Sequence, residues 1–179
     1  MEFIVVTGLS GAGKTRAMHA MEDIGFFCVD NLPAKLIPTI YDLCSQTKTE
    51  KVAVVTDIRA GELFSDLMQV LEEMRASHCE FRVLFLDATD RVLINRFQET
   101  RRRHPLADRY QGSLEEAVAL ERDMLRPLRA CADYVVDMGP KAGRLGGEVV
   151  FEGTPKEMLR VDTLTSSYLN GNTEIAVPA

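Results

Sequence analysis

The feature that most constrains this chain is the segment GLSGAGKT at residues 8–15, which directly follows the apolar run FIVVT at residues 3–7. A short β-branched run predicts a strand buried on both faces, as in a parallel sheet. The segment fits the spacing G-x-x-x-x-G-K-[ST] at every fixed position, and residues 16–25 continue with apolar side chains at helical spacing. A strand, a glycine-rich turn and a helix in this order are typical of a phosphate-binding P-loop.

Each fixed residue type of this segment has a physical role in holding phosphate. The glycines let the backbone curl into a concavity of N–H donors, and the helix that follows directs its positive end at the same anion. Lys14 would reach the terminal phosphates, and the Thr15 hydroxyl would bind Mg²⁺. The alternative is a glycine-rich turn without a ligand. The predicted phosphate-binding residues are Gly8, Leu9, Ser10, Gly11, Ala12, Gly13, Lys14 and Thr15.

The rest of the chain alternates between strand-like and helix-like patterns. Strands are predicted at 26–30, 51–59, 81–88 and 132–138, and helices at 34–47, 61–77, 90–103 and from 113 onward. Such alternation indicates an α/β class with a parallel sheet covered on both faces. Together with the P-loop, it predicts a P-loop NTPase three-layer sandwich with five mainly parallel strands, for which we expect the kinase-like order 2-3-1-4-5. Ser113 and Glu116 predict a capping box, and Pro127 predicts the end or a kink of the last helix.

Three acidic residues, Asp30, Asp57 and Asp87, fall where predicted strands end, which is where ligands bind in such sheets. Asp57 closes an apolar strand, so it would hold Mg²⁺ together with Thr15 or orient a nucleophile, unless it only caps the next turn. Arg59 would contact nucleotide or an acidic acceptor, or would simply be solvated. Asp30 would lie near the acceptor of a kinase, or would cap the turn that follows it.

The strongest basic cluster is Arg101, Arg102 and Arg103, followed by His104. Arg101 and Arg102 are candidate catalytic residues, because a segment carrying them would close over a triphosphate and stabilise developing charge. The same cluster would serve as a landing site for RNA phosphates or a protein partner, or would be a solvated turn. His104 is expected to be a hydrogen-bonding loop residue rather than a general base.

Composition excludes several broad classes of function. The net charge of −6 argues against a protein that coats nucleic acid in general. The chain has no apolar run of about 20 residues, and its first residues lack the basic region and cleavage site of a signal peptide. Four scattered cysteines without metal-ligand spacing fit a reducing compartment. We therefore expect a cytoplasmic protein with no membrane partner.

Six stretches together carry a family resemblance: GLSGAGKT, EDIGFFCVDNLP (22–33), TDIR (56–59), LFLDA (84–88), ETRRRHPL (99–106) and LRPLRACAD (125–133). Over about residues 1–137 the chain resembles the N-terminal domain of the RapZ family of P-loop nucleotide-binding proteins. The resemblance implies binding and hydrolysis of ATP and GTP, with residues 8–15 assigned to ATP. In members that act as RNase adapters, RNA binding lies mainly in a C-terminal domain. The residues that the resemblance assigns to GTP are Asp57, Ile58, Arg59 and Ala60.

A second resemblance overlaps the end of the first one. Residues 132–159, 164–171 and 174–178 are similar to the end of the first ATP-binding module of UvrA, the ABC-type ATPase of nucleotide excision repair. We therefore divide the chain into a P-loop nucleotide-binding domain at 1–137 and an appendage at 138–179 that packs on the same sheet. Its residues 148–153 would return as an antiparallel edge strand. An exposed edge of this kind favours a homo-oligomer.

Four hypotheses about function follow from the sequence. The first is a weak NTPase of the RapZ type that slowly hydrolyses ATP and GTP with Mg²⁺. The second is a small-molecule kinase that uses Asp30 and the arginine segment. The third is a regulatory module in which nucleotide switches affinity for an RNA or protein partner at Arg101 to Arg103. The fourth is a fragment of an ABC-type DNA-repair ATPase, which the sequence disfavours because only the tail of such a module is present.

Overall fold

The computed structural model describes residues 1–56, 61–107, 112–139, 149–158 and 160. Strands and helices alternate along this part of the chain. The strands are β1 (Glu2–Gly8), β2 (Phe27–Val29), β3 (Lys51–Val55), β4 (Arg82–Asp87), β5 (Tyr134–Met138) and β6 (Val149–Gly153). The helices are α1 (Lys14–Asp23), a 3₁₀ turn (Ala34–Leu36), α2 (Ile37–Gln46), α3 (Gly61–Ala76), α4 (Asp90–Thr100), α5 (Leu114–Cys131) and α6 (Pro155–Met158).

The strands form one sheet in the order β2-β3-β1-β4-β5-β6. The first five are parallel, and β6 pairs antiparallel with β5 at the edge of the sheet. This confirms the predicted strand order and the predicted antiparallel edge strand. Because β1 lies between β3 and β4, its carboxyl end opens in the middle of the sheet, where the glycine-rich loop begins.

Both faces of the sheet are covered. Consecutive residues of a strand point to opposite faces, and both Val5 and Val6 of β1 are fully buried. The same holds for the successive residues Val52, Ala53 and Val54 of β3. Apolar residues on consecutive positions therefore reflect a sheet that is packed between two layers of helices, as the sequence predicted.

Helix α5 begins where the sequence predicted, and it continues past Pro127, where the sequence predicted either an end or a kink. The Ser113 hydroxyl accepts from Glu116 N, and the Glu116 carboxylate accepts from Ser113 N, so the capping box is confirmed. Pro127 lies inside the helix, so a helix that ends before this residue is wrong. Pro127 and Asp123 are both exposed, so water can satisfy the Asp123 carbonyl that lacks its usual N–H donor.

Helix α4 is shorter than predicted. It ends at Thr100 because Arg101 adopts a left-handed conformation with φ of 50°. The basic residues 101–103 therefore follow the helix instead of continuing it. Among the helices that the structure describes, none is both long and apolar enough to cross a bilayer.

The predicted boundary between residues 137 and 138 falls inside β5. The short segment that follows adds β6 to the same sheet, and a second capping box, formed by Thr154 and Glu157, begins α6. Residues 161–179, which carry much of the second resemblance, lie outside the described part of the chain. The division into two domains stays a prediction.

Candidate nucleotide-phosphate site

The loop between β1 and α1 starts at a glycine that no other residue can replace without movement of the sheet. Gly8 has φ of +135°, and a Cβ atom added there would lie 2.1 Å from the carbonyl oxygen of Leu86 in β4. The next residue donates its own N–H to that oxygen, from Leu9 N, at 3.1 Å. The start of the loop is therefore held directly against the end of β4.

The rest of the loop has the backbone that binds anions. Gly11 and Gly13 have φ of +84° and +109°, and Gly13 is the left-handed N-cap of α1. Leu9 and Ala12 are buried and joined by a hydrogen bond from Ala12 N to Leu9 O at 3.0 Å. Backbone that passes through the left-handed region aligns successive N–H groups into an anion-binding concavity. The predicted residues 8–15 thus run from the last residue of β1, through a loop of residues 9–13, into the first turn of α1.

Lys14 is the first residue of α1, and its ammonium group lies across the loop. Its Nζ donates to Gly8 O at 2.8 Å and to Leu9 O at 3.2 Å. The first turn of α1 contains no acidic residue, so nothing within that turn offsets the positive end of the helix dipole. The neighbouring Thr15 is exposed. The loop backbone, the helix end and the Lys14 ammonium group fit the oxygens of a triphosphate. The Thr15 hydroxyl fits the Mg²⁺ that accompanies it.

A second cation at the loop was not singled out in the sequence. Arg96 of α4 donates from Nη1 to Gly11 O at 2.7 Å and from Nη2 to Gly139 O at 3.1 Å. Partial burial, together with the nearby Arg16, lowers the pKa of Arg96, which still leaves the guanidinium charged near neutral pH. Arg96 therefore ties the loop to the end of β5 and adds positive charge beside it.

The loop is also held from its other side by a buried carboxylate. Glu121 of α5 accepts from Ser10 N at 3.1 Å and from the Ser10 hydroxyl at 2.7 Å. The same carboxylate lies 3.1 Å from His104 Nε2. The hydrogen bonds confirm that His104 is a hydrogen-bonding loop residue. Sequence reasoning missed Glu121, because 111 residues separate it from Ser10 and no local pattern links the two.

Arg101, Arg102 and Arg103 are all exposed, and they immediately precede the buried His104. The ring of Phe97 packs against the ring of His104 with centroids 5.0 Å apart. The same Phe97 would be the first contact of a Cβ atom on Gly11, at 3.4 Å. The basic segment is therefore anchored beside the loop at its His104 end.

The remaining acidic candidates differ in their surroundings. Asp87 is fully buried and binds Arg122 and Arg129 of α5, with oxygen–nitrogen distances of 2.9 and 2.7 Å. These contacts tie β4 to α5 and leave Asp87 a structural role. Asp30 is exposed and its carboxylate accepts from Asn31 N at 2.7 Å, as in a turn cap. Asp57, Ile58, Arg59 and Ala60 lie outside the described residues.

The sheet order and the glycine loop define the P-loop class of α/β folds. Within this class, the family described as "RapZ-like N-terminal domain" matches residues 1–144. The chain is 49% identical over 139 residues to a "nucleotide-binding protein" of Caldicellulosiruptor bescii, a match that covers 76% of this chain and 48% of the relative. It is 46% identical over 154 residues to one of Clostridium botulinum, covering 85% and 52%. The chain therefore belongs to this family.

The chain spans about half the length of the relatives that it matches. Solved structures with a similar course of the chain include a shikimate kinase from Bacteroides thetaiotaomicron, with a TM-score of 0.48 and 16% identity over 76% of this chain and 85% of that one. Another is a gluconokinase from Sinorhizobium meliloti, with a TM-score of 0.43 and 16% identity over 79% and 84%.

Proposed function

We propose that this chain binds nucleoside triphosphates, ATP and GTP, with Mg²⁺ at residues 8–15. The observation that carries the proposal is the Lys14 ammonium group, which lies 2.8 Å from the Gly8 carbonyl across a loop with left-handed glycines. Such a loop at a helix N-terminus is suited to a phosphate chain. The name of the relatives, "nucleotide-binding protein", supports the same proposal.

In this proposal a bound Mg²⁺ would supply positive charge that neutralises the phosphates. Thr15 and Asp57 would hold it, and the stretch from Asp57 to Ala60 would contact GTP. Lys14, Arg101 and Arg102 would stabilise charge on the γ-phosphate as water attacks. We expect turnover to be slow and its role to be regulatory, in a protein of the cytoplasm.

Phosphate release from ATP and GTP tests the hydrolysis step. The parent chain should release phosphate slowly with Mg²⁺, and release should stop with EDTA or with Lys14→Ala. Release that continues in the variant would come from another site or a contaminant, and would contradict the proposed chemistry. Double-stranded DNA should not stimulate release, since stimulation would favour the DNA-repair ATPase instead.

A small-molecule kinase remains the second candidate, favoured by one observation. Asp30 is exposed immediately after β2, at the carboxyl end of the sheet where acceptors bind. A kinase would make ADP in proportion to an added acceptor, whereas a hydrolase would not. A panel of sugars and nucleotides as acceptors, compared in parent and Asp30→Asn, separates the two.

Partner binding is proposed for the exposed arginines 101–103. RNA held by these side chains should bind with an affinity that falls steeply as salt rises. Replacement of all three arginines by glutamine should abolish the salt-dependent part of binding. An unchanged salt dependence would exclude RNA at this segment and leave a protein partner.

A further inference from the structure

We propose that Glu121 is a positioning residue. It holds both the phosphate-binding loop and the segment of Arg101 to Arg103 to helix α5, so that nucleotide binding at the loop changes the environment of His104. The inference rests on the proposed function, since it concerns the affinity of the same loop for Mg²⁺–ATP. It adds to that function a residue that lies 111 positions from Ser10 in the sequence.

Ser10 is held by two hydrogen bonds to Glu121. Glu121 and Ser10 are both buried, with 4% and 6% of their surface exposed. One carboxylate oxygen accepts from the Ser10 hydroxyl at 2.7 Å, and the other accepts from Ser10 N at 3.1 Å. Ser10 lies between Gly8 and Gly11, where the backbone has little conformational preference of its own. Glu121 therefore fixes the part of the loop that its glycines leave free.

The two hydrogen-bond partners of the His104 ring define its tautomer. Leu106 N lies 3.2 Å from His104 Nδ1 and can only donate, so Nδ1 carries a lone pair. The ring proton is then on Nε2, which donates to Glu121 at 3.1 Å. The carboxylate thus accepts three hydrogen bonds, two from the loop and one from the segment that follows α4. Hydrogen bonds to both oxygens compensate the cost of burying the charge.

Helix α5, which carries Glu121, is itself firmly attached to the sheet. Arg122, the residue after Glu121, binds Asp87, Asp90 and the Ala88 carbonyl, and Arg129 binds Asp87 further along α5. Burial alone would lower the pKa of Arg122, but its attraction to Asp87 and Asp90 outweighs burial and raises it. Helix α5 is thereby held to the end of β4 beside Glu121. A movement of Ser10 must then be taken up by Glu121 and passed to His104.

The first test is a titration of Mg²⁺–ATP into the parent chain, Glu121→Ala and Glu121→Gln. We expect Glu121→Ala to bind Mg²⁺–ATP at least about tenfold more weakly, because removal of a residue that supports a site commonly costs this much affinity. Glutamine keeps the shape and can donate to the Ser10 hydroxyl, so Glu121→Gln should recover most of that loss. Glu115→Ala, at an exposed glutamate of the same helix, is the matched control and should bind as the parent does.

Several results would overturn the inference. One is a folded Glu121→Ala that binds as tightly as the parent, and another is a Glu121→Gln that loses as much affinity as alanine. If Glu121→Ala fails to fold, Ser10→Ala removes only the hydroxyl bond, and it should still weaken binding measurably. Unchanged binding in folded Ser10→Ala would then overturn the inference. A parent that binds no nucleotide at all contradicts the proposed function itself, which keeps the two failures distinct.

The second test asks whether the link reaches His104. In a chain with ¹⁵N-labelled histidine, Mg²⁺–ATP should shift the ring signals of His104 in the parent and in Glu121→Gln, and should leave the exposed His78 unchanged. In Glu121→Ala at saturating nucleotide the His104 shift should largely disappear. A shift of the same size in Glu121→Ala would show that the carboxylate does not carry the link.

Discussion

At the scale of single residues, the shape of the loop depends on one close backbone approach at Gly8 and on hydrogen bonds from Lys14 and Arg96. Gly8 leaves 2.1 Å between a hypothetical Cβ atom and the Leu86 carbonyl, which is far inside any contact distance. Lys14 spans the loop by bonding two of its carbonyls, and Arg96 bonds a third at Gly11. The loop is thus shaped by its neighbours before any ligand binds.

The first prediction concerns Gly8. Gly8→Ala should lower the free energy of unfolding by about 3 kcal/mol, because the new methyl group clashes with the backbone of β4 and the residue keeps a strained φ. Urea denaturation measures the change. Gly25→Ala is the control, since Gly25 also has a positive φ of +90° but has no atom within 4 Å of its Cβ position. Equal losses in the two variants would mean that the contact with β4 does not matter.

The second prediction concerns Arg96. Arg96→Ala should weaken Mg²⁺–ATP binding about tenfold, because it frees the Gly11 carbonyl and removes a cation beside the loop. Calorimetric titration measures the affinity. Arg91→Ala on the same helix removes an exposed arginine and should leave binding within about twofold. Indistinguishable affinities for the two variants would remove Arg96 from the site.

At the scale of elements, α5 does the most to organise the site. It carries Glu121 toward the loop and binds β4 through Arg122 and Arg129 on Asp87. The capping box at Ser113 defines where the helix starts, and solvent exposure lets it continue through Pro127. The start of α5 and its attachment to β4 therefore determine where the Glu121 carboxylate meets Ser10.

The third prediction tests this attachment. Asp87→Ala should lower the free energy of unfolding by about 3 kcal/mol or more, since it leaves two partly buried arginines without their shared partner. Asp123→Ala breaks an exposed pair with Arg126 and should cost less than about 1 kcal/mol. Thermal unfolding followed by circular dichroism compares the two. A small effect at Asp87 would show that α5 is held by apolar packing alone.

At the scale of the whole molecule, the sequence predicted the sheet well and the site only in part. Apolar runs, their alternation with helices and a P-loop after the first strand indicated a P-loop sheet, and the kinase-like order known for such sheets supplied the strand order that the structure has. Local chemistry also predicted the capping box at Ser113. The apolar runs, the P-loop and the capping box each consist of residues that are near one another in the chain, so their patterns can be recognised.

The contacts that shape the site could not be predicted in the same way. Glu121 reaches Ser10 across 111 residues, and Arg96 reaches Gly11 across 85. Asp87 ends a strand just as a catalytic acid would, and only the two arginines around it reveal a structural role. A single sequence shows which residue types are present, whereas the folded chain decides which of them meet.

The most direct test of the account is the affinity of Mg²⁺–ATP for the parent chain and for Lys14→Ala, measured by calorimetry. Lys156→Ala, which removes an exposed lysine of α6, is the control. The account predicts saturable binding to the parent and to the control, and an affinity at least about tenfold lower for Lys14→Ala with unchanged folding. A folded parent that binds no nucleotide, or a Lys14→Ala variant that binds as tightly as the parent, would contradict it.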